Sequence, residues 1–209
     1  MKAILLHAWP LSERMWVPQV TALRKNRVEP LAPHLYGRGP SIDGWAAQLL
    51  REFPGPLVAV GASMGGYCAL ALARRAPERI VGLVLVGSRA GADTLDRRRQ
   101  RDDQIAALRA RGLPRELETD ESAEDLAVAQ EAIRDRMDLS GVVAAFGGPL
   151  LVCIGDRDDV VSVEESRELA SVALQGSIEV FPGAGHFVSV DQPDRFNAVL
   201  IEFLSQWKA

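Results

Sequence analysis

The chain has 209 residues, enough for one domain with a substantial core and few for two. Apolar residues make up 47% of the chain and charged residues 25%, which are globular proportions and exclude extensive disorder. The net charge of −4 excludes the overall basic surface of a nucleic-acid-binding protein.

Short apolar runs alternate with helical patterns along most of the chain. The runs predict strands at 3–6, 28–32, 57–60, 80–86, 150–154 and 178–181. The helical patterns predict helices at 15–25, 41–53, 64–75, 163–173 and 194–207, the second of which begins with Ser41 as N-cap. This order of elements predicts an α/β fold: a mostly parallel sheet of about six strands, with helices on both faces.

The alternation stops between residues 93 and 138, where the chain is highly charged and has no strand-like run. Apolar residues at helical spacing predict about two amphipathic helices here: Ile105, Leu108, Leu126, Val128 and Ile133. We interpret 89–139 as a short helical cap inserted into a single domain, 1–209. We expect this cap to lie over the carboxyl ends of the strands, where open α/β sheets bind ligands.

One basic run, Arg97-Arg98-Arg99-Gln100-Arg101, lies within the predicted cap. Aspartates flank the run on both sides: Asp93, Asp96, Asp102 and Asp103. This mixture favours a solvated helix face, and an anion-binding patch is the alternative.

The two cysteines, Cys68 and Cys153, lie in apolar runs, and we expect both to be buried. Their spacing to each other and to the three histidines fits no redox or zinc motif, so we predict no metal site. The serine chemistry predicted below needs no organic cofactor either, and we expect none. We expect no secretory signal, because the apolar run at residues 3–6 is too short for one, and we find no apolar run that approaches the roughly 20 residues of a membrane helix. We therefore expect a cytoplasmic protein that binds neither membrane nor nucleic acid.

A glycine-rich motif, Gly61-Ala62-Ser63-Met64-Gly65-Gly66, lies between a predicted strand and a predicted helix. In this G-x-S-x-G arrangement a strained turn holds the serine hydroxyl clear of the sheet, and the flanking glycines avoid a collision across the turn. The helix N-terminus then faces the position where an oxyanion would form. We predict Ser63 as a nucleophile; the alternative is a turn in which Ser63 only caps the helix.

A serine nucleophile needs a base, and histidine is the usual one because its pKa lies near neutrality. His186 follows the last strand in a glycine-rich loop, at the sheet edge where Ser63 also lies, so we predict His186 as the general base. His7 and His34 are interpreted as structural histidines.

The base in turn needs a carboxylate that fixes its tautomer. Three candidates, Asp156, Asp158 and Asp159, follow the strand at 150–154 and therefore lie on the same edge. Spacing alone does not decide which of the three aspartates is the partner of the histidine.

An oxyanion hole requires two N–H donors. We predict the backbone of Met64, which follows the nucleophile, and the backbone of Trp9, in the loop after the first strand. The alternative for Trp9 is a packing role, which its side chain can fill at the same time.

Together these segments resemble the α/β-hydrolase superfamily over nearly the whole chain, and small bacterial esterases in particular. The resemblance rests on His7-Ala8-Trp9-Pro10, Gly37-Arg38-Gly39, Gly61 to Gly66, Gly155-Asp156-Arg157-Asp158 and Gly183-Ala184-Gly185-His186-Phe187. The family's G-x-x-D motif selects Asp158 as the acid, and the chain order of serine, acid and histidine is that of the family.

Three departures from the family pattern affect what we expect. Ala8 replaces the usual glycine, which we expect to affect the second oxyanion donor, and His34 replaces an aspartate. The sequence also begins at the family's third strand, so we expect a minimal core and an open site.

The resemblance implies a serine hydrolase that cleaves small carboxylic esters through an acyl-enzyme intermediate. Its expected partner is a small-molecule ester or a related acyl substrate. The alternatives are hydrolysis of another acyl bond (a lactone, a thioester or a C–C bond) and a non-catalytic small-molecule binding protein of the same fold.

Overall fold

The computed structural model describes residues 1–115, 117 and 119–207. Its sheet has six parallel strands in the order β2-β1-β3-β4-β5-β6. The strands are β1 Lys2–Leu6, β2 Glu29–Leu31, β3 Leu57–Ala62, β4 Ile80–Val86, β5 Leu150–Gly155 and β6 Gly176–Phe181. The predicted parallel α/β sheet is therefore confirmed.

Helices cover both faces of the sheet. They are α1 Val17–Lys25, α2 Ile42–Glu52, α3 Met64–Arg75, α4 Leu95–Arg111, α5 Ala123–Arg134, α6 Ser140–Ala145, α7 Val163–Ser171, α8 Val188–Asp191 and α9 Pro193–Ser205. Successive strand residues point to opposite faces, so Ile4 and Leu6 join one core, with α2 and α3. Ala3 and Leu5 join the other core, with α1 and α9.

Local sequence signals account for most helix boundaries. The Ser41 hydroxyl accepts a hydrogen bond from Gly44 N at 3.2 Å, as the predicted N-cap requires. Helix α1 begins two residues later than predicted, because Glu13–Trp16 forms a 3₁₀ turn and Pro18 occupies the first turn of α1. Helices α6 and α8 were not predicted, since six and four residues are too few to show a helical period.

Helices α4 and α5 occupy the segment predicted as a cap, between β4 and β5. They pack on each other, and Ile105, Leu108, Leu126 and Ile133 are buried in the same core as α3. Among the described residues, no helix combines the length and the apolar character needed to span a bilayer. Cys68 and Cys153 are buried free thiols, as predicted.

Candidate active site

Ser63 occupies a strained turn between the last residue of β3 and the first residue of α3. Its backbone angles are φ 47° and ψ −108°, a conformation that residues other than glycine seldom adopt. Two contacts hold the turn: Ser63 N donates to Val86 O at 2.8 Å, and the Ser88 hydroxyl donates to Ser63 O at 2.9 Å. Val86, the last residue of β4, and Ser88 therefore hold the Ser63 backbone in this strained conformation.

The glycines around Ser63 are required by close backbone approach. A Cβ atom on Gly65 would overlap the carbonyl group of Leu6, at the end of β1. A Cβ atom on Gly61 would overlap the carbonyl group of Gly65 across the turn. The G-x-S-x-G pattern thus lets α3 start directly against the sheet, which directs its N-terminus at the region beside Ser63.

His186 and Asp158 form a hydrogen-bonded pair at the same edge of the sheet. His186 Nδ1 lies 2.8 Å from Asp158 Oδ2, and the Asp158 side chain is fully buried. Asp158 Oδ1 accepts hydrogen bonds from the backbone N–H groups of Val160 and Val161, at 2.8 and 2.9 Å. Because the carboxylate engages Nδ1, Nε2 is the imidazole nitrogen available to accept a proton.

The surroundings of Asp158 keep its carboxyl group ionised. Burial acts to raise the pKa of the Asp158 carboxyl, but hydrogen bonds from His186 and Val161 outweigh it and hold the net pKa below its ordinary value. An ionised partner stabilises a protonated imidazole, as a histidine that accepts a proton from serine requires.

The neighbouring carboxylates contact the backbone of the histidine loop instead of the imidazole. Asp156 Oδ1 accepts a hydrogen bond from Gly183 N at 2.7 Å. Asp191 Oδ2 accepts one from Gly185 N, also at 2.7 Å. Asp159 is exposed. Sequence reasoning missed the bracing by Asp191, since an aspartate in a four-residue helix after the loop carries no motif.

The two predicted oxyanion donors, the backbone N–H groups of Met64 and Trp9, come from two different segments, the start of α3 and the loop after β1. Met64 is the first residue of α3, where a backbone N–H has no carbonyl partner within the helix. In the loop after β1, Ala8 N donates to the Met15 sulfur at 3.3 Å, and Pro10 has no N–H. Of the three consecutive residues 8–10, Trp9 is thus the one left to offer a backbone N–H to a ligand. Trp9 also lines the same cavity as Ser63.

Ala8 and the Trp9 side chain have structural roles in this loop. Among the described residues other than glycine, positive φ occurs at Arg27 and Ser63, so Ala8 fits its position without backbone strain. The indole Nε1 of Trp9 donates to Leu126 O at 3.2 Å and ties the loop to α5.

His7 and His34 lie outside the cavity and have local partners. His7 Nε2 accepts a hydrogen bond from Leu35 N at 2.9 Å, and Nδ1 lies 3.1 Å from Ala8 O. Burial lowers the pKa of His7 to about 4, so His7 is neutral. The ligand atoms of His7, Glu13 and His34 lie within 4.8 Å of one another, but both ring nitrogens of His7 already have backbone partners.

Ser63 and His186 both line a cavity of about 580 Å³. Trp9 and Phe187 contribute apolar surface to it, and α4 and α5 form part of its wall. The residues predicted as nucleophile and base and the segment predicted as a cap therefore line one cavity. It is large enough for a small organic substrate.

Comparison with known proteins finds relatives of this chain in sequence and in fold. The sequence model of the "Alpha/beta hydrolase family" matches residues 3–199. A pimeloyl-[acyl-carrier protein] methyl ester esterase of Aromatoleum aromaticum is 39% identical over 90 residues, which are 41% of this chain and 36% of that protein. The enzyme of the same name from Photobacterium profundum is 26% identical over 96% of this chain and 93% of its own length.

The solved structures include a thermophilic esterase from Thermogutta terrifontis in a malate-bound form. It superposes with a TM-score of 0.92 at 25% identity, over 99% of this chain and 90% of that one. The matched region spans only 36% of the length of the Aromatoleum aromaticum protein.

Proposed function

This chain belongs to the α/β-hydrolase family, and from that premise we propose that it is a serine hydrolase that cleaves small carboxylic esters. Ser63 is the nucleophile, His186 the general base and Asp158 the acid that orients His186. The observation that carries the proposal is that a strained serine and a carboxylate-bound histidine open on one cavity.

The proposed reaction has two steps. Ser63 attacks the ester carbonyl carbon while His186 Nε2 takes the hydroxyl proton, and the resulting oxyanion receives N–H groups from Trp9 and Met64. His186 then gives its proton to the leaving alcohol, and an acyl-enzyme on Ser63 remains. Water attacks this ester with His186 as base, which releases the acid and restores the serine.

The relatives support this choice of reaction within the family. The protein from Photobacterium profundum, matched over nearly its whole length, is named as an esterase, and so is the Thermogutta terrifontis structure. We propose that α4 and α5, within 89–139, serve as the cap that closes one side of the substrate cavity.

The first experiment is labelling with a fluorophosphonate probe and peptide mapping of the adduct, together with turnover of a short-chain nitrophenyl ester. We expect the adduct on Ser63 and its loss in Ser63→Ala. Ser205→Ala, an exposed serine at the end of α9, is the matched control and should label as the wild type does.

The histidine assignment has its own matched pair. His186→Gln should lose turnover, whereas His34→Gln, which alters an exposed histidine paired with Glu13, should retain it. Folded protein that neither labels at Ser63 nor hydrolyses the ester would contradict the proposal and favour a non-catalytic binding protein.

A further inference from the structure

The face of α4 that lines the cavity is polar along its length. Arg97, Gln100, Arg101 and Gln104 follow the spacing i, i+3, i+4 and i+7, which places them on one side of a helix, and all four line the cavity with Ser63. Ile105 and Leu108 of α4 are buried in the core instead. A wall of guanidinium and amide groups is suited to a charged or polar ligand and is unfavourable for a purely apolar ester.

Two of the three arginines that line the cavity are already paired with a carboxylate. Arg101 Nε lies 2.6 Å from Asp93 Oδ2, and its Nη1 donates to Gln130 Oε1 at 2.7 Å. Arg89 Nε and Nη2 bind the two carboxylate oxygens of Glu165 at 3.0 and 3.2 Å. These pairs hold both guanidinium groups in the wall, and Asp93 also binds Arg136 at 2.8 Å, so that one carboxylate serves two arginines there.

Arg97 differs from both. Within the described part of the chain its guanidinium makes no hydrogen bond, and its nearest carboxylate oxygen, on Glu165, is 3.9 Å away and already bound by Arg89. The Arg97 side chain is 35% exposed, so a ligand in the cavity can reach it. One cavity-lining residue, Asp159, carries a carboxylate, and it is exposed.

A second polar group near this wall also lacks a partner. Gln130, from α5, lines the cavity and is fully buried, and its amide Nε2 has no hydrogen-bond partner among the described residues. Because Arg101 donates to Oε1 of Gln130, the nitrogen is the side of the amide left to donate. An unpaired buried donor is costly unless a ligand or water accepts from it.

We propose that the substrate carries a carboxylate in addition to its scissile acyl bond, and that Arg97 binds this carboxylate. The inference rests on the proposed ester hydrolysis and specifies its substrate class. A guanidinium fork matches a carboxylate with two parallel hydrogen bonds, and Gln100, Gln104 and Gln130 add amide donors to the lining of the same cavity.

The test compares esters that differ only in this charge. One pair is the nitrophenyl monoester of adipic acid and the same compound with a carboxamide in place of the free acid. A second pair, a butanoate ester of hydroxybenzoic acid and of hydroxybenzamide, places the charge on the leaving group. The measured quantity is the ratio of kcat/KM for the acid to that for the amide within each pair.

We expect wild-type protein to favour the acid in at least one pair by about ten- to hundredfold, the range of a charge-assisted hydrogen-bonded contact. Arg97→Gln should bring that ratio close to unity, and Arg97→Lys should retain part of it. Arg99→Gln is the matched control on the same helix, since Arg99 is 78% exposed and does not line the cavity. Its ratio should equal that of the wild type.

The outcomes separate the two proposals. Damage to folding or to the catalytic groups lowers both rates of a pair together and leaves their ratio unchanged. Ester turnover with equal rates for acid and amide in both pairs, or a preference that survives in Arg97→Gln, overturns the carboxylate site while ester hydrolysis stands. Absence of all turnover together with an unlabelled Ser63 overturns the hydrolase proposal itself.

Discussion

The backbone strain at Ser63 predicts that glycine at this position stabilises the protein relative to alanine. Both substitutions remove the hydroxyl, but alanine retains the Cβ atom that makes φ 47°, ψ −108° unfavourable, whereas glycine adopts positive φ freely. The difference between the two variants therefore isolates the strain from the loss of the nucleophile.

The size of the effect follows from two opposing terms. A residue held in such a sparsely populated region stores about 1–3 kcal/mol. Glycine loses more conformational entropy on folding than alanine does, which costs about 0.5–1 kcal/mol. The difference of the central values of the two terms is about 1 kcal/mol, so we expect Ser63→Gly to exceed Ser63→Ala in unfolding free energy by about this amount, which corresponds to roughly 2–4 °C in Tm for a chain of this size.

Equilibrium unfolding in urea measures the difference, provided that the two variants share the same m-value. The control is the same pair of substitutions at Ser171, an exposed residue at the end of α7, where glycine should be the less stable variant. If Ser63→Gly were no more stable than Ser63→Ala, the turn would not be strained as described.

Three further predictions follow from the site and its supports. Asp158→Asn should lower kcat by roughly three to four orders of magnitude, because Asp158 is the carboxylate that binds His186. Asp159→Asn should lower kcat by less than about tenfold, and equal losses in the two variants would contradict the assignment of Asp158 as the acid. The pKa of His7 is about 4 in the folded protein and 6.5 in an unfolded chain. Between pH 4 and pH 6.5 the unfolded state therefore binds a proton on His7 that the folded state does not bind. Unfolding free energy should thus fall as the pH is lowered from 6.5 to 4, with His7 contributing at most about 1.4 kcal/mol per pH unit; unfolding titrations of His7→Gln across this interval should show a shallower slope. Gly65→Ala should prevent folding because its Cβ atom meets a backbone carbonyl, whereas Gly141→Ala, with open space around it, should fold normally by circular dichroism.

Sequence pattern alone was enough to predict the sheet and the location of the candidate site. The bounds of α3 and β4 agree with the prediction, because a continuous apolar run and a helical period are local properties that end at Gly, Pro or charged residues. In a parallel sheet the carboxyl ends of all strands lie at one edge, so residues that follow β3, β5 and β6 had to be neighbours. Sequence order and the parallel direction of the strands are therefore sufficient to bring Ser63, the three aspartates and His186 to one edge.

Tertiary structure decided which of these neighbours interact and how the wall opposite them is charged. Hydrogen-bond geometry, which depends on loop conformation, pairs His186 with Asp158 and turns Asp156 to the backbone of the histidine loop. Helical spacing shows that Arg97 and Arg101 share a face of α4. Only the tertiary structure shows that Arg101 is bound by Asp93 and Gln130, while Arg97 faces the cavity without a hydrogen-bonded partner among the described residues. The physical reason is that several carboxylates flank the basic run in sequence, and side-chain packing decides which of them, and which group from another helix, each guanidinium reaches.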